Sequence, residues 1–166
     1  QALPGEGGHV DLPIATPREA ELWQLLYRQL GHVRAEDVLS GGGLLLLYRA
    51  LCQLDGAEPR LASPAEVTAA ALAGDALAGA VIEQFSVWLG RAAGNLVLSL
   101  GARGGVYVVG GVVPRFAELF LASGFAAALR DKGCMSHYFD GIPAWLVTAE
   151  YPGLMGAGVA LQQAAG

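Results

Sequence analysis

The first side chains able to do chemistry lie in the stretch LPGEGGHVD, residues 3–11, where Glu6 and His9 flank a pair of glycines. A carboxylate accepts hydrogen bonds from two adjacent hydroxyls, as on a sugar ring, and an imidazole adds a second orienting contact. Glycines have no side chain, so a ligand or another backbone segment can approach them closely. On these four residues alone, an exposed turn with one charged and one titrating group is the simpler interpretation.

Glu36 is a second carboxylate of interest because it shortly precedes a glycine triplet at residues 41–43. If the fold brings Glu36 close to Glu6 and His9, the three side chains form a pocket with two carboxylates and an imidazole. The alternative is a glutamate in the first turn of a helix, where the helix dipole favours negative charge. Taken by itself, Glu36 fits the alternative better.

The stretch VYVVGGVVP contains a possible nucleotide-binding turn at Gly110 and Gly111, followed by Pro114. It predicts a strand, a glycine pair and a helix that begins at the proline. In that geometry, backbone amides and a helix N-terminus can approach a nucleotide. A tight strand-to-helix turn without a ligand explains the pattern equally well.

The composition of the chain limits its partners. Of its 166 residues 54% are hydrophobic and 15% are charged, with a mean hydropathy of +0.44, so some apolar surface is expected to face a partner. A net charge of -5 with scattered basic residues argues against nucleic-acid binding. No apolar run approaches the ~18 residues needed to cross a bilayer, so we expect no transmembrane segment.

Cys52 and Cys134 are the two cysteines of the chain, and they are far apart in sequence. Neither belongs to a CxxC pair or has a histidine at ligand spacing, so we expect neither a disulfide framework nor a metal site. Reduced thiols in the cytoplasm fit this pattern best. Asp11, His32 and His137 have no polar partner at a useful spacing, and we assign them no role.

Helices are predicted along most of the first half of the chain. Thr16 and Pro17 should begin a helix that ends at Leu30, because a hydroxyl cap precedes a proline at the first helical position. Residues 41–43 are expected to form a flexible glycine segment before a second helix that ends near Leu54. Ser63-Pro64 then repeats the helix-start pattern.

A long helix from Asp75 to Leu100 should follow, running through the core because it has apolar residues on nearly every face. Two strands are expected, a buried one at residues 106–109 and another at 144–150, with helices between them. Residues 152–165 read as a small-residue helix that could lie very close to a neighbour. A sheet of two strands is rarely stable, so the rest of the sheet is expected outside this chain, which is one domain or part of one.

Five stretches, taken in order, resemble the C-terminal half of bacterial ATP-dependent glucokinases. They are LPGEGGHVD, GHVRAEDVLSGGGLLLLYRAL, AGNLVLSLGARGGVYVVGGVVPRF, SGFAAALRDKG and PGLMGAGVAL. Each motif is weak alone, but five in sequence with the family's spacing identify the chain as a member of that family over essentially its full length. The resemblance implies a partial α/β domain of the ribonuclease H-like type, as in actin and hexokinases, helix-rich with few remaining strands. Residues 1–166 would then be the C-terminal portion of the large domain, with the N-terminal domain absent from this chain.

The activity that the resemblance implies is phosphorylation of the 6-hydroxyl of D-glucose by ATP, with Mg²⁺, in a cytoplasmic homodimer. Glu6 and His9 correspond to family residues that contact glucose hydroxyls, and Glu36 corresponds to the family's second sugar-binding glutamate. The turn containing Gly110 and Gly111 corresponds to one near the adenosine.

The chain departs from the family pattern in three respects. Ser40-Gly41-Gly42-Gly43 stands where Ser-Gly-Pro-Gly is usual, and losing the proline should leave this turn less restricted before folding. Cys134 stands where a basic residue is common. The family's catalytic aspartate and its phosphate-binding glycine loops fall outside these 166 residues, so we expect no catalytic residue in the chain and no measurable glucose phosphorylation by the chain alone.

Two other functions stay open at this point. One is a truncated, non-catalytic homologue that binds hexoses or pairs with another subunit through exposed apolar surface. The other is a kinase for a different hexose, because two carboxylates and a histidine recognise hydroxyls without distinguishing one epimer from another.

Overall fold

Helices dominate the structure, a computed structural model that describes residues 4–165. The α-helices in these residues are α1 Pro17–Leu30, α2 Ala35–Val38, α3 Gly41–Asp55, α4 Pro64–Leu72, α5 Ala76–Leu100, α6 Ala117–Ala122, α7 Phe125–Arg130 and α8 Pro152–Ala165. The strands are β1 Val106–Val108 and β2 Ala144–Leu146, and short 3-10 helices cover Gly7–His9, Val113–Phe116 and Gly133–Phe139. The predicted helix-rich α/β class with few strands is confirmed.

Helix α1 begins and ends where the sequence predicts. The Thr16 hydroxyl accepts a hydrogen bond from the Glu19 amide at 3.1 Å, and the Glu19 carboxylate accepts one from the Thr16 amide at 3.2 Å. Gly31 ends the helix with a φ of 74°, and its amide donates to the Tyr27 carbonyl. The buried Glu19 carboxylate also accepts a bond from Arg91 Nε at 3.1 Å, which ties α1 to α5.

The glycine triplet at residues 41–43 is helical, so the prediction of a flexible segment there is wrong. The Ser40 hydroxyl accepts a hydrogen bond from the Gly43 amide at 3.1 Å, which makes the triplet the first turn of α3. Gly43 is packed against α2, and a Cβ at this position would overlap the Val38 carbonyl. Glycine is intrinsically a poor helix former. The close packing of α2 on α3 nevertheless keeps the triplet helical.

Helix α5 runs through the core as predicted. Trp88, near its middle, is fully buried. Gly90 and Gly94 lie one turn apart on the face that meets α7, and a Cβ on either would collide with a backbone carbonyl oxygen of α7. The missing side chains thus let the two helix backbones approach closely, and α7 covers the second half of α5.

The two strands pair in parallel, with Val106 aligned to Ala144 and Val108 to Leu146. Each strand is only three residues long, so the predicted strand at 144–150 is longer than the observed one. A two-stranded ladder has few hydrogen bonds, and the sheet depends on packing against the helices for its stability.

Burial of β1 differs from the prediction of a fully buried strand. Tyr107 and Val109 are 59% and 55% exposed, whereas Val106 and Val108 pack against the core. Successive side chains of a strand point to opposite faces, so one face of β1 is buried and the other is not. On the open face, Tyr107 stacks on Trp145 of β2, with 4.7 Å between the ring centroids.

Helix α8 is exposed along its described length. Leu154 and Leu161 are 75% and 72% exposed. Within residues 4–165, the prediction that this small-residue helix packs close to a neighbour is therefore wrong.

None of the helices in the described part of the chain is by itself long and apolar enough to cross a membrane. Helices α4 and α5 reach that length and hydropathy only as a pair, and they meet at an angle of 108°.

Candidate functional site

A short turn near the start of the chain carries Glu6 and His9. Its 3-10 helix, Gly7–His9, is followed by an antiparallel bridge between Asp11 and Arg34. Backbone hydrogen bonds of 2.8 and 3.1 Å flank this bridge on both sides. Because the bridge joins the turn to the residue that precedes α2, the turn is fixed beside the N-terminus of α2.

Helix α2 carries Glu36 in its only turn. The Asp37 carboxylate accepts a hydrogen bond from the Arg34 amide at 2.8 Å and so caps the start of the helix. Glu36 does lie in the first turn of a helix, as the alternative interpretation of the sequence holds. It also contacts the turn that contains His9, which the dipole argument alone does not predict.

The three predicted sugar-binding side chains lie together. His9 Nδ1 is 3.6 Å from Glu6 Oε2, and His9 Nε2 is 3.5 Å from Glu36 Oε1, so the imidazole sits between two carboxylates. The side chains of Glu6, His9 and Glu36 are 87%, 49% and 46% exposed, which leaves polar atoms of all three accessible to a ligand. Ionised carboxylates only accept hydrogen bonds, and an imidazole accepts or donates according to its tautomer. The cluster can therefore bind a ligand with several adjacent hydroxyls.

Gly8 brings the backbone of the turn against Glu36. A Cβ at position 8 would lie 2.9 Å from Glu36 Oε2 and 3.2 Å from Glu36 Cβ, closer than real side-chain contacts allow without a shift. The second glycine of the Glu-Gly-Gly-His motif is thus explained by close approach of the two segments. Any larger residue at this position would displace the Glu36 side chain.

An open hollow of about 230 Å³ lies next to Glu36. Gly7, Gly8 and Glu36 form one wall of it. Its floor is apolar and comes mainly from Leu89 and Leu96 of α5. Glu36, the member of the polar cluster that lines this hollow, therefore stands at the rim of a groove that follows the second half of α5.

The glycine pair at the end of β1 borders the same groove. Gly110 has a φ of 132°, which favours glycine, and a Cβ at Gly110 or Gly111 would meet no atom within 4 Å, so this backbone is open to a ligand. A smaller hollow of about 130 Å³ beside the pair shares Leu39 and Leu89 with the hollow next to Glu36. The predicted sugar-binding and nucleotide-binding groups thus lie at neighbouring positions along one groove.

Arg34 is a member of the site that the sequence analysis missed. Its Nη1 lies 3.5 Å from Glu36 Oε1, and its Nη2 and Nε bond the two oxygens of Asp37 at 2.6 and 3.2 Å. The hydrogen bond from Arg34 holds the pKa of the Asp37 carboxyl below its usual value, and the same pair raises the pKa of Arg34. The signal in the sequence was an arginine three residues before an aspartate at a helix start.

Asp11 and His32, to which no role is assigned, contact each other across the bridge. His32 Nε2 lies 3.6 Å from Asp11 Oδ1, and both side chains are exposed. A contact between two exposed polar side chains at this distance contributes little to stability.

A metal ion has no ready-made site in residues 4–165. No group of three or more histidine, cysteine, aspartate or glutamate side chains in this part of the chain is placed to hold one. Both cysteines are free thiols, Cys52 buried and Cys134 exposed.

Comparison with known sequences gives consistent matches. The glucokinase family model matches residues 1–164. A glucokinase from Pseudomonas aeruginosa strain LESB58 is 59% identical over 165 residues, which are 99% of this chain and 50% of that protein. A glucokinase from Chromobacterium violaceum is 51% identical over 157 residues, 94% of this chain and 45% of that protein. The chain thus spans about half the length of the curated relatives it matches.

Solved structures agree with the sequence matches. The crystal structure of a glucokinase from an Antarctic psychrotroph has a TM-score of 0.90 and 36% identity, covering 97% of this chain and 50% of that one. The crystal structure of a glucokinase from Balamuthia mandrillaris in complex with glucose has a TM-score of 0.76 and 23% identity, covering 90% and 44% of the two chains, and it supports the fold alone. The match of the family model over nearly all residues decides the assignment, and the chain belongs to the glucokinase family.

Proposed function

We propose that this chain is the sugar-binding half of an ATP-dependent glucokinase that phosphorylates the 6-hydroxyl of D-glucose. The single observation that carries the proposal is the convergence of Glu6, His9 and Glu36 on one patch, with contacts of 3.6 and 3.5 Å, in a chain of this family. The three residues come from two separate segments, so their meeting is a property of the fold.

In the proposed complex, the carboxylates of Glu6 and Glu36 accept hydrogen bonds from glucose hydroxyls and His9 orients the sugar between them. Charged acceptors make hydrogen bonds roughly twice as strong as neutral ones, so two carboxylates suffice to hold a small polar ligand at an exposed site. The apolar floor from Leu89 and Leu96 would contact the less polar face of the sugar ring. These residues bind and orient the substrate, and none of them is placed as the base for the 6-hydroxyl.

ATP is the proposed phosphoryl donor, with its adenosine near Gly110 and Gly111. Support comes from the open backbone of this glycine pair and from the groove that it shares with Glu36. Phosphoryl transfer depends on positioning and on neutralising phosphate charge, usually by Mg²⁺. Because residues 4–165 hold no ligand cluster for a metal, Mg²⁺ enters the proposal as the counter-ion of the nucleotide and no step is assigned to it.

The complete domain is proposed to be ribonuclease H-like, with further strands beside β1. Support comes from the partly exposed strand β1 and the apolar groove along α5, because further strands and helices of a complete domain would cover both.

We also propose that the complete protein is a cytoplasmic homodimer. The exposed apolar residues, such as Leu154 and Leu161, supply surface for a subunit contact, and the two free cysteines fit a reducing compartment. Molar mass in solution, measured by light scattering, tests the dimer.

Titration of D-glucose into the ¹⁵N-labelled chain, followed by NMR, tests the sugar site. Amide resonances of the turn at Gly7–His9 and of α2 should shift with glucose. Glu6→Gln and Glu36→Gln should weaken binding about tenfold or more, because each removes a charge-assisted hydrogen bond. Glu21→Gln, at an exposed position of α1, is the matched control. Unchanged affinity in both site variants would rule out the proposed role of the carboxylates.

Parallel titrations with D-mannose, D-fructose and N-acetyl-D-glucosamine distinguish the proposed substrate from other hexoses. If the chain belongs to a glucokinase, D-glucose should bind most tightly. A clear preference for another hexose would keep the site and replace the substrate.

A further inference from the structure

Arg34 is held at two sides by acidic residues of α2. Its Nη2 and Nε form a fork with the Asp37 carboxylate at 2.6 and 3.2 Å, and the Asp37 carboxylate also accepts the Arg34 amide at 2.8 Å. A guanidinium in a two-pronged contact has little freedom to turn. Its side chain is 37% exposed and that of Asp37 only 14%, so the pair is partly withdrawn from solvent.

The remaining nitrogen of the guanidinium points at the proposed sugar site. Arg34 Nη1 lies 3.5 Å from Glu36 Oε1, the same oxygen that lies 3.5 Å from His9 Nε2. The other oxygen, Oε2, faces Gly8. Glu36 is therefore approached by a guanidinium, an imidazole and the backbone of the turn, and of these only the guanidinium carries a permanent positive charge.

The positive charge of Arg34 counteracts two effects that would weaken sugar binding at the proposed site. Glu6 and Glu36 both contact His9, and two carboxylates gathered on one small ligand repel each other. A long glutamate side chain that is 46% exposed is free to turn into solvent, which would move its acceptors away from a ligand. A fixed positive charge at 3.5 Å opposes both effects.

We propose that Arg34, locked by Asp37, is a positioning residue that holds the Glu36 carboxylate in place to accept hydrogen bonds from a hexose. The inference rests on the proposed function of Glu36 as a sugar contact. It adds that affinity for the sugar depends on a residue that need not touch the sugar.

A double-mutant cycle on the 166-residue chain tests this role. D-glucose is titrated by NMR into the wild type, Arg34→Gln, Glu36→Gln and the variant that carries both changes. Arg34→Gln should weaken glucose binding about three- to tenfold, toward the lower end of the coupling seen between groups in contact. In the Glu36→Gln background the same change should have no further effect, because Arg34 acts through the carboxylate that is already absent. Arg28→Gln, an exposed arginine of α1, should leave affinity unchanged in both backgrounds.

Each outcome decides a separate point. If Glu36→Gln leaves glucose affinity at the wild-type value, or the wild type does not bind glucose, the proposed function fails. If Glu36→Gln weakens binding but Arg34→Gln does not, or weakens it equally in both backgrounds, only the positioning role is overturned, since a purely structural effect is additive. Arg34→Lys, which keeps the charge but not the fork, should recover part of the affinity, and the amide spectra show whether each variant is folded.

Discussion

Two neighbours of Glu36, Gly8 and Arg34, determine where its carboxylate lies. Gly8 leaves room for the Glu36 carboxylate where a Cβ would crowd Oε2, and Arg34 approaches Oε1 of the same group. Neither residue needs to contact a ligand to influence its binding. At this scale, Glu36 is one of the two proposed acceptors, and its neighbours restrict its motion.

Gly8→Ala should weaken glucose binding about three- to tenfold, the equivalent of one hydrogen bond. The new Cβ would lie 2.9 Å from Glu36 Oε2, so the carboxylate has to move. NMR titration of glucose measures the effect, and thermal unfolding should change little because the site is exposed. Gly5→Ala, where a Cβ meets nothing within 4 Å, is the control. Equal affinities in the two variants would contradict the role given to Gly8.

Asp37→Asn should lower the free energy of unfolding at pH 7 by about 1 kcal/mol, because it replaces the charged acceptor of the Arg34 fork by a neutral amide. Its pKa is lowered in the folded chain, chiefly by the hydrogen bond from Arg34. A lowered folded-state pKa gives stability that is fully present above the unfolded pKa and is lost as the pH falls through the folded one. The difference from wild type should therefore be constant between about pH 5 and 7 and shrink below about pH 4.

Denaturant unfolding across this pH range measures the difference, with Glu21→Gln as an exposed-carboxylate control. A gap that narrowed on raising the pH from 5 to 7 would be opposite in sign to the expectation.

Packing between elements explains the glycines of the second motif. The triplet at residues 41–43 is a helix turn, and its three glycines have different surroundings. Gly43 is pressed on Val38, Gly41 only touches Val112, and Gly42 faces open space. The missing proline of the family's Ser-Gly-Pro-Gly pattern therefore leaves this turn ordered, because Ser40 caps it and α2 packs on it.

Gly42→Ala and Gly43→Ala should have opposite effects on stability. Alanine at position 42 should raise the free energy of unfolding by about 0.5–1 kcal/mol, because it restricts the unfolded chain and fits a helix. Alanine at position 43 should lower it by about 1–3 kcal/mol, because its Cβ would overlap the Val38 carbonyl. Denaturant unfolding of both variants checks this, and a stabilising Gly43→Ala would refute the packing of α2 on α3.

On the scale of the whole molecule, the polar cluster and the glycine turn border one groove along α5, and that groove is open. The chain spans about half the length of its relatives, and β1 exposes one face beside the groove. The proposed sugar-contact groups lie in the described residues, while phosphoryl transfer also requires a base and a phosphate cradle. We therefore expect this chain to bind glucose without phosphorylating it.

The chain alone should give no measurable glucose phosphorylation in a coupled assay with ATP, Mg²⁺ and glucose. The physical reason is that orienting the sugar does not remove the proton from its 6-hydroxyl or neutralise the γ-phosphate. Fusion behind the first half of the Pseudomonas aeruginosa glucokinase, 59% identical over the matched part, should restore turnover. Turnover by the chain alone near that of the intact relative would disprove the expectation.

Local rules in the sequence determined both ends of α1 and the course of α5. Thr16, Pro17 and Gly31 act through contacts within a few residues, so the limits of α1 were predictable, and the apolar pattern of α5 identified the core helix. The family motifs also indicated Glu6, His9 and Glu36 as candidate site residues. Each of these inferences needs only the chain neighbours or a resemblance.

Tertiary structure alone decided which of these groups meet. The approach of His9 to Glu36 depends on segments that are distant in sequence. Arg34 meets the same carboxylate, and the glycine triplet meets Ser40 and Val38, over only a few residues, but these contacts form only in the folded geometry of α2 and α3. The exposure of Tyr107 likewise depends on what packs over β1. Interactions between remote segments follow from how the helices pack, and packing depends on the shapes of all side chains together, which no local pattern encodes.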